Sequence, residues 1–237
     1  MEYTGIMNSI KITNEYVKQT ASRYGADLCG IASVDSFNEA PEGFHPADIF
    51  PECKTVVVIA LRMPEGTFAG NSKIPYTVAN DKLLDEVVKI SVSMSREFEK
   101  HHDVKCIPVP GEPYEYWDEE NKTGKGILSM KHAGRLAGLG SIGKNSLLTN
   151  KKYGNRIVLG AVLIDKIIGA DNIDNEPGCI ENCSLCEKSC PVGAIENGSV
   201  IQKLCRGNSS VINKKGYFIY TCFKCRVVCP RGKGSMQ

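Results

Sequence analysis

Eight of the eleven cysteines in this 237-residue chain lie between Cys179 and Cys229, and this density constrains the fold more than any other feature. The chain does not start with a basic segment followed by an apolar one, so we expect no secretory signal, a cytoplasmic location and reduced thiols. Reduced thiols at this density indicate metal binding. The abrupt change in cysteine content also predicts a domain boundary near residue 178.

The cysteines form two groups with the spacing of iron–sulfur ligands, each ending in Cys-Pro. The first group reads C-x3-C-x2-C-x3-C-P and consists of Cys179, Cys183, Cys186 and Cys190. The second group keeps C-x2-C-x3-C-P after a longer first interval and consists of Cys205, Cys222, Cys225 and Cys229. The bacterial two-cluster ferredoxin run is C-x2-C-x2-C-x3-C-P, so only the first interval of each group departs from it.

In two-cluster runs the last cysteine of each group ligates the cluster of the other group. This rule predicts that one [4Fe–4S] cluster is held by Cys179, Cys183, Cys186 and Cys229. The second [4Fe–4S] cluster is then held by Cys190, Cys205, Cys222 and Cys225. Two structural zinc ions are the alternative, but the repeated C-x3-C-P signature favours clusters. Two clusters in one small module indicate an electron relay, so the rest of the chain should supply or receive electrons.

The residues before the cysteine-rich segment predict an α+β core over residues 1–168. The segments TVVVIAL (55–61) and RIVLGAVLID (156–165) are rich in apolar and β-branched residues, which is typical of buried strands. Residues 81–100 carry an apolar stripe at helical spacing. A polar linker over 169–177 then leads to a cluster domain over 178–237. The net charge of +2 predicts no strong attraction to nucleic acid or to a membrane surface, and no apolar run reaches the roughly 18 residues of a membrane span.

Residues 138–143 spell G-x-G-x-x-G, and the same segment falls one residue short of a phosphate-binding P-loop, because Asn145 stands where Ser or Thr is required. Both phosphate loops follow a strand and open a helix. These glycines instead follow a predicted helix over 129–139. Helix termination and a second turn therefore explain the glycines better than phosphate binding does.

The segments 128–165 and 45–64, together with the cysteine pattern, resemble the epoxyqueuosine reductase and reductive dehalogenase superfamily. The resemblance implies a core similar to the nitroreductase fold, with a mixed sheet and helices, followed by a two-cluster ferredoxin-like domain. It also implies a base-off cobalamin on the sheet, with FMN as the alternative, that accepts low-potential electrons from the clusters. The positions expected near this cofactor are His132, Ala137, Gly138, Leu139, Gly140, Ile142, Gly143 and Lys144. For Lys144, an ordinary exposed lysine is the other interpretation.

The sequence departs from this superfamily after the strand that follows the long helix. Epoxyqueuosine reductases carry an aspartate there that is taken as the proton donor, whereas this chain reads IPVPGEP over 107–113. Glu112 and Tyr114 lie in the replacement segment and are our candidate proton donors. A solvated acidic loop is the alternative interpretation.

We expect an iron–sulfur oxidoreductase that acts reductively on a small molecule or a modified nucleoside. Its electrons would come from a donor protein or a small reductant. The alternative is a non-catalytic electron-transfer protein, such as an activator that reduces a partner corrinoid protein. A helical-repeat extension for tRNA does not follow Cys229 in this sequence, and with the low net charge this argues against a tRNA substrate. A homodimer is compatible with the resemblance.

Overall fold

The computed structural model describes residues 11–235, so residues 1–10 of the predicted core and the last two residues of the predicted cluster domain lie outside the described part. The α-helices of the described residues are α1 (Asn14–Arg23), α2 (Pro46–Ile49), α3 (Ile74–His101), α4 (Met130–Leu136), α5 (Leu185–Ser189), α6 (Gln202–Ser209) and α7 (Lys224–Val228). The strands are β1 (Leu28–Ser33), β2 (Thr55–Arg62), β3 (Cys106–Val109), β4 (Tyr116–Asp118), β5 (Thr123–Lys125), β6 (Ser141–Ile142), β7 (Leu148–Thr149), β8 (Ile157–Ile164), β9 (Ile195–Glu196), β10 (Ser199–Val200), β11 (Ser210–Ile212) and β12 (Phe218–Tyr220).

The core is built on a four-stranded sheet with the order β1-β2-β8-β3. Every pairing in this sheet is antiparallel, so the expectation of a mixed sheet is wrong, although the fold is mixed in helices and strands. β2 and β8 occupy the centre and are buried along nearly their whole length, as their continuous apolar sequences predict. β3 contains Pro108 and lies at the edge, where a strand can lack one backbone donor.

Helices cover both faces of the sheet. On one face α1 and α3 bury a cluster that includes Val17, Met94 and Phe98. On the other face α4 packs beside a cluster that includes Phe50 and Leu139. The prediction of a helix over 81–100 is confirmed, but α3 begins earlier, at Ile74, with a proline in its first turn.

The predicted linker over 169–177 is fastened to the core. The carboxylate of Asp171 lies 2.5 Å from the ammonium of Lys18 and accepts a hydrogen bond of 2.9 Å from the backbone N–H of Ile31. The backbone N–H of Asp171 donates to the carbonyl of Ile31 at 2.8 Å. The linker therefore holds the C-terminal part against β1.

Residues 178–235, here called the cluster module, contain two similar halves. In each half a short helix, α5 or α7, ends one residue before the last cysteine of a C-x2-C-x3-C-P run. Cys190 and Cys229 both have φ −68°, with ψ 118° and 121°. This shared extended geometry is what a following proline imposes, and it directs the chain that follows each cysteine away from the helix.

Among residues 11–235, no helix combines the length and the apolar character that crossing a bilayer requires.

Candidate iron–sulfur site

Four cysteines line one pocket at the junction of the core and the cluster module. They are Cys179, Cys183, Cys186 and Cys229, here called the first cysteine set. The wall on the core side is formed by Gly143, Asn145 and Thr149. Cys229 comes from the far half of the module, so the pocket gathers the four cysteines that the cross-ligation rule predicts for one cluster.

The charges of the first cysteine set are coupled. Burial raises the pKa of Cys186, and the nearby Cys179 raises it further. Burial also raises the pKa of Cys229, with additional contributions from Cys179 and Cys183. Thiolates gathered in this way repel one another, and a cationic iron–sulfur core is a group that would relieve the repulsion.

The remaining four cysteines, the second cysteine set, show the same coupling. They are Cys190, Cys205, Cys222 and Cys225. Burial raises the pKa of Cys205, and Cys190 and Cys222 add to the effect. Burial raises the pKa of Cys225 to about 11, and Cys205, Cys222 and Cys186 oppose its ionisation further.

Backbone amides point at sulfur in both sets, which is how proteins stabilise cluster ligands. The N–H of Lys144 donates to Sγ of Cys179 at 3.3 Å, and the N–H of Ala194 donates to Sγ of Cys190 at 3.2 Å. Within the described part of the chain, no three His, Cys, Asp or Glu side chains converge as they would around a single metal ion. Cysteine thiolates can ligate either zinc or an iron–sulfur cluster, and the repeated C-x3-C-P spacing is what favours clusters.

The glycine motif belongs to a loop over residues 137–145, here called the glycine loop, that joins the core to the first cysteine set. α4 ends at Leu136 and Gly138 follows with φ +74°, which confirms helix termination as the role of the first glycine. A Cβ on Gly138 would collide with the backbone of Asn172, and a Cβ on Gly140 with the carbonyl of Thr149. These glycines are required by close backbone packing.

Four of the residues expected near a corrinoid are covered by protein. They are Ala137, Leu139, Gly140 and Gly143. A Cβ on Gly143 would lie 3.6 Å from Sγ of Cys179, so this residue faces the cysteine pocket. Gly138 and Ile142 are half-buried and retain some surface.

Lys144 faces the cluster module. Its ammonium donates to the carbonyl of Cys183 at 2.9 Å and lies 3.6 Å from the carboxylate of Glu187. A corrin side chain would have to compete with both of these partners. Asn145, which the sequence reasoning considered only as a P-loop mismatch, is buried and donates from Nδ2 to the carbonyl of Cys225 at 3.4 Å.

His132 lies on the exposed side of α4, and its Nδ1 is 2.7 Å from the hydroxyl of Ser129. Partial removal from solvent lowers the pKa of His132, and the positive charges of Lys131 and Arg135 lower it further. The imidazole is therefore neutral at pH 7. It is the predicted cofactor residue with the most accessible side chain.

Glu112 and Tyr114 lie where β3 leaves the core, and the hydroxyl of Tyr114 is 3.5 Å from the carboxylate of Glu112. The loop expected here instead forms a hairpin of β4 and β5. The hairpin docks on α6, where the guanidinium of Arg206 lies 4.6 Å from the ring centre of Tyr114 and 5.0 Å from that of Trp117. Tyr114 thus packs on the helix that carries Cys205, one residue of the second cysteine set.

A second contact between the core and the module was not foreseen from sequence. Tyr76 on α3 stacks on Phe223 with ring centres 4.2 Å apart, and Phe223 follows Cys222 directly. The backbone N–H of Tyr220 donates to the hydroxyl of Thr77 at 3.0 Å. The first turns of α3 therefore support the second cysteine set, and no local pattern in the sequence signals this.

The comparisons with known proteins agree with the resemblance. No family model matches the chain. The epoxyqueuosine reductase of Aliivibrio fischeri is 30% identical over 219 residues, which cover 80% of this chain and 51% of that protein. The epoxyqueuosine reductase of Bacillus subtilis is 25% identical over 270 residues, which cover 96% of this chain and 65% of that protein. Sequence similarity to epoxyqueuosine reductases therefore extends over 80% to 96% of this chain.

Solved structures support the same fold. A catabolic reductive dehalogenase in complex with 3-bromo-4-hydroxybenzoic acid superposes with a TM-score of 0.71 at 18% identity, covering 94% of this chain and 32% of that one. An epoxyqueuosine reductase with a tRNA-Tyr epoxyqueuosine-modified stem loop superposes with a TM-score of 0.63 at 19% identity, covering 94% of this chain and 66% of that one. The chain thus spans about half to two thirds of the length of these epoxyqueuosine reductases.

Proposed function

We propose that the chain is an iron–sulfur reductase in which two [4Fe–4S] clusters on the cluster module deliver electrons to the α+β core. The observation that carries the proposal is the gathering of the first cysteine set against the glycine loop of the core. A module that zinc merely stabilised would have no need to place its metal ligands against core residues. An electron relay requires such a junction.

We further propose cobalamin as the acceptor, with FMN as the second candidate. Support comes from the relatedness to epoxyqueuosine reductases and from the fold shared with a reductive dehalogenase described as B12-dependent, at a TM-score of 0.66 and 19% identity. When bound, cobalamin would supply a low-potential metal centre for reductive bond cleavage. The predicted residues that keep surface are His132, Gly138, Ile142 and Lys144. The first three are available to contact cobalamin, whereas Lys144 is engaged by Cys183 and Glu187, and the buried glycines hold their loop in place.

Glu112 and Tyr114 are proposed to hold the proton that a reductive step consumes. Tyr114 packs on Arg206 of the helix that carries Cys205, and Glu112 lies 3.5 Å from the hydroxyl of Tyr114. The proposed proton donors therefore lie close to the helix that supplies one ligand of the proposed electron path. The carboxylate of Glu112 also contributes to raising the pKa of Tyr220, after burial as the main cause. Glu112 is therefore linked to two tyrosines, through its 3.5 Å contact with the hydroxyl of Tyr114 and through its effect on the pKa of Tyr220.

The substrate class is proposed as a small molecule or a modified nucleoside. A structural neighbour holds a modified tRNA stem loop, so the same kind of stem loop is a reasonable first compound to test. The formal net charge of +2 supports a smaller substrate, because binding to nucleic acid draws on many Lys and Arg contacts to phosphates.

The test of the clusters is anaerobic reconstitution of the full chain followed by iron, sulfide and zinc analysis. We expect broad absorption near 400 nm and about eight irons per chain. The Cys229→Ala variant should fall to about four irons, and its spectrum should match that of Cys179→Ala and differ from that of Cys225→Ala. Tightly bound zinc without iron would contradict the proposal, and a Cys229→Ala spectrum like that of Cys225→Ala would contradict the cross-ligation.

The test of the acceptor is titration of the reconstituted protein with cob(II)alamin, followed by EPR for a base-off signal, with FMN in a parallel titration. A base-off signal supports the reductase. Absence of any change with either cofactor would favour the alternative of a non-catalytic electron carrier. Once turnover is found, Tyr114→Phe and Glu112→Gln should lower it without changing the iron content, and unchanged turnover would remove these residues from the mechanism.

A further inference from the structure

The cluster module opens to solvent at a cleft beside the second cysteine set. The cleft has a volume of about 480 Å³ and lies between the start of α3 and the start of α7. Cys222 lines it directly, and its apolar lining includes Phe68, Phe223 and Val227. The first cysteine set, in contrast, faces the core through Gly143 and Asn145. Of the two sets, the second is therefore the one that offers a ligand to an open cleft.

The charged residues in the lining of this cleft are both lysines. Lys73 and Lys224 line it, and no acidic residue does. The ammonium of Lys73 is held 4.2 Å from the ring centre of Phe223, the residue next to Cys222. Residues 178–237 as a whole carry nine Lys and Arg against three Glu and no Asp. A positive charge is thus fixed directly beside a predicted cluster ligand.

We infer that this cleft, here called the entry cleft, is the docking surface for an acidic one-electron carrier protein. The inference rests on the proposed function, since it requires a cluster on the second cysteine set. One electron would pass from the reduced carrier to the oxidised cluster, taking the cluster core from 2+ to 1+ and oxidising the carrier, with no bond made or broken. Complementary charge would steer the encounter, and the apolar lining would bring the two redox centres close.

An RNA partner fits this surface less well. Phosphate recognition normally uses many cationic contacts along a stripe, whereas the entry cleft offers two lysines among apolar side chains. An exposed redox ligand also has no use in holding RNA. The charge and the position of Cys222 together favour a redox protein.

The test follows reduction of the reconstituted full chain by stopped flow, using the bleaching near 400 nm. Flavodoxin hydroquinone serves as the acidic carrier and dithionite as the small reductant. The variants are Lys73→Glu/Lys224→Glu and, in case the double change disturbs the fold, Lys224→Glu alone, since Lys224 is exposed. The matched control is Lys89→Glu. Lys89 is an exposed lysine on α3, 16 residues after Lys73, and it therefore lies roughly 24 Å from Lys73 along the helix.

We expect the double variant to be reduced by flavodoxin roughly tenfold more slowly at low ionic strength, with the difference shrinking as salt is added. Lys224→Glu should show part of this loss and Lys89→Glu less than about a twofold change. All variants should keep the wild-type iron content and dithionite rate. If the unmodified chain binds no iron on reconstitution, the proposed function itself is refuted, and there is no cluster for a carrier to reduce.

Three results would overturn the proposal that the entry cleft is the docking surface for an acidic carrier protein. The first is a double variant that behaves like Lys89→Glu with flavodoxin. The second is an equal slowing with dithionite, which would indicate damage to the cluster. The third is a tRNA stem loop that blocks flavodoxin in the unmodified protein and binds the double variant more weakly, because the surface would then serve nucleic acid.

Discussion

Replacing Gly140 with alanine tests whether the glycine loop serves packing or cofactor binding. Gly140 has φ +149°, a backbone conformation that glycine adopts freely and alanine does not. An added Cβ would collide with the carbonyl oxygen of Thr149, and it would lie 2.9 Å from the carbonyl carbon of Thr149 and 3.1 Å from Cα of Asn150. Backbone atoms on a short strand cannot rotate away, so both strain and overlap remain in the variant.

The expected loss in the free energy of unfolding follows from these two costs, backbone strain and steric overlap. A non-glycine residue in a rare backbone region costs about 1–3 kcal/mol, and overpacking of a tight site costs about 1–3 kcal/mol. Partial relaxation leaves about 2–5 kcal/mol in total. For a chain of this size, 1 kcal/mol corresponds to roughly 2–4 °C, so the melting temperature should fall by about 4–20 °C.

The assay is anaerobic thermal unfolding followed by far-UV circular dichroism, with clusters loaded and without added cobalamin or flavin. Gly66→Ala is the matched control, because an added Cβ there meets nothing within 4 Å and should change stability little or raise it slightly. The packing argument is refuted if Gly140→Ala melts within about 2 °C of the control. Normal stability with loss of cofactor binding would instead assign the glycine to the cofactor.

Two further substitutions and one pH dependence test other parts of the structure. Arg206→Met should free the hairpin from α6 at a cost of about 0.5–2 kcal/mol, and acrylamide quenching of Trp117, the only tryptophan, should rise. Thr55→Val should cost about 1–3 kcal/mol in urea unfolding, because the buried hydroxyl donates to one backbone carbonyl at 2.8 Å and accepts from one backbone N–H at 3.0 Å. Burial raises the pKa of Cys29 and of Cys106 from 9.0 to about 12, so the stability that these protonated thiols contribute should be present below about pH 9 and lost as the pH rises toward 12.

Each of these has a result that contradicts it. Unchanged quenching in Arg206→Met, with Arg206→Lys as the charge-preserving control, would show that the hairpin holds its position without the guanidinium. A Thr55→Val variant as stable as wild type would show that water or a backbone shift satisfies the backbone carbonyl and the backbone N–H that lose the hydroxyl as their hydrogen-bond partner. The alkaline loss of stability should be smaller in Cys29→Ala/Cys106→Ala, and an identical pH profile would assign that loss to other groups.

The central strands and the long helix could be predicted because their signals are local. The apolar run of residues 55–61 and the stripe over 81–100 identify β2 and most of α3 without knowledge of their neighbours. The first turns of α3 carry a proline and polar residues, which read as a loop. They are helical because Thr77 and Asn80 are buried against Tyr220 of the cluster module, with Asn80 donating to its hydroxyl at 3.2 Å. A contact between residues 140 positions apart leaves no trace in a sequence window.

The candidate site also combines features that could be predicted from the sequence with features that could not. The spacing of the cysteines contains enough information to group Cys229 with the first three, because the turn before proline fixes its direction. The partners of Lys144 could not be foreseen, since Glu187 is 43 residues away in sequence and neither the glycine motif nor the cysteine motif predicts that the two residues meet. The hairpin around Trp117 was missed because its strands are too short to show alternation, and its position depends on Arg206.

The way in which the module is held favours a relay over a mobile interaction domain. Tyr76 stacks on Phe223 at one end, and at the other the backbone N–H of Ser235 donates to the carbonyl of Lys151 at 2.8 Å. Lys144 adds a third contact, through hydrogen bonds to Cys179 and Cys183 of the module. A domain that only recruits partners can hang on a flexible linker, whereas an electron path needs a fixed separation between donor and acceptor. Substitutions at this interface should therefore slow electron delivery to the core before they reduce the iron content.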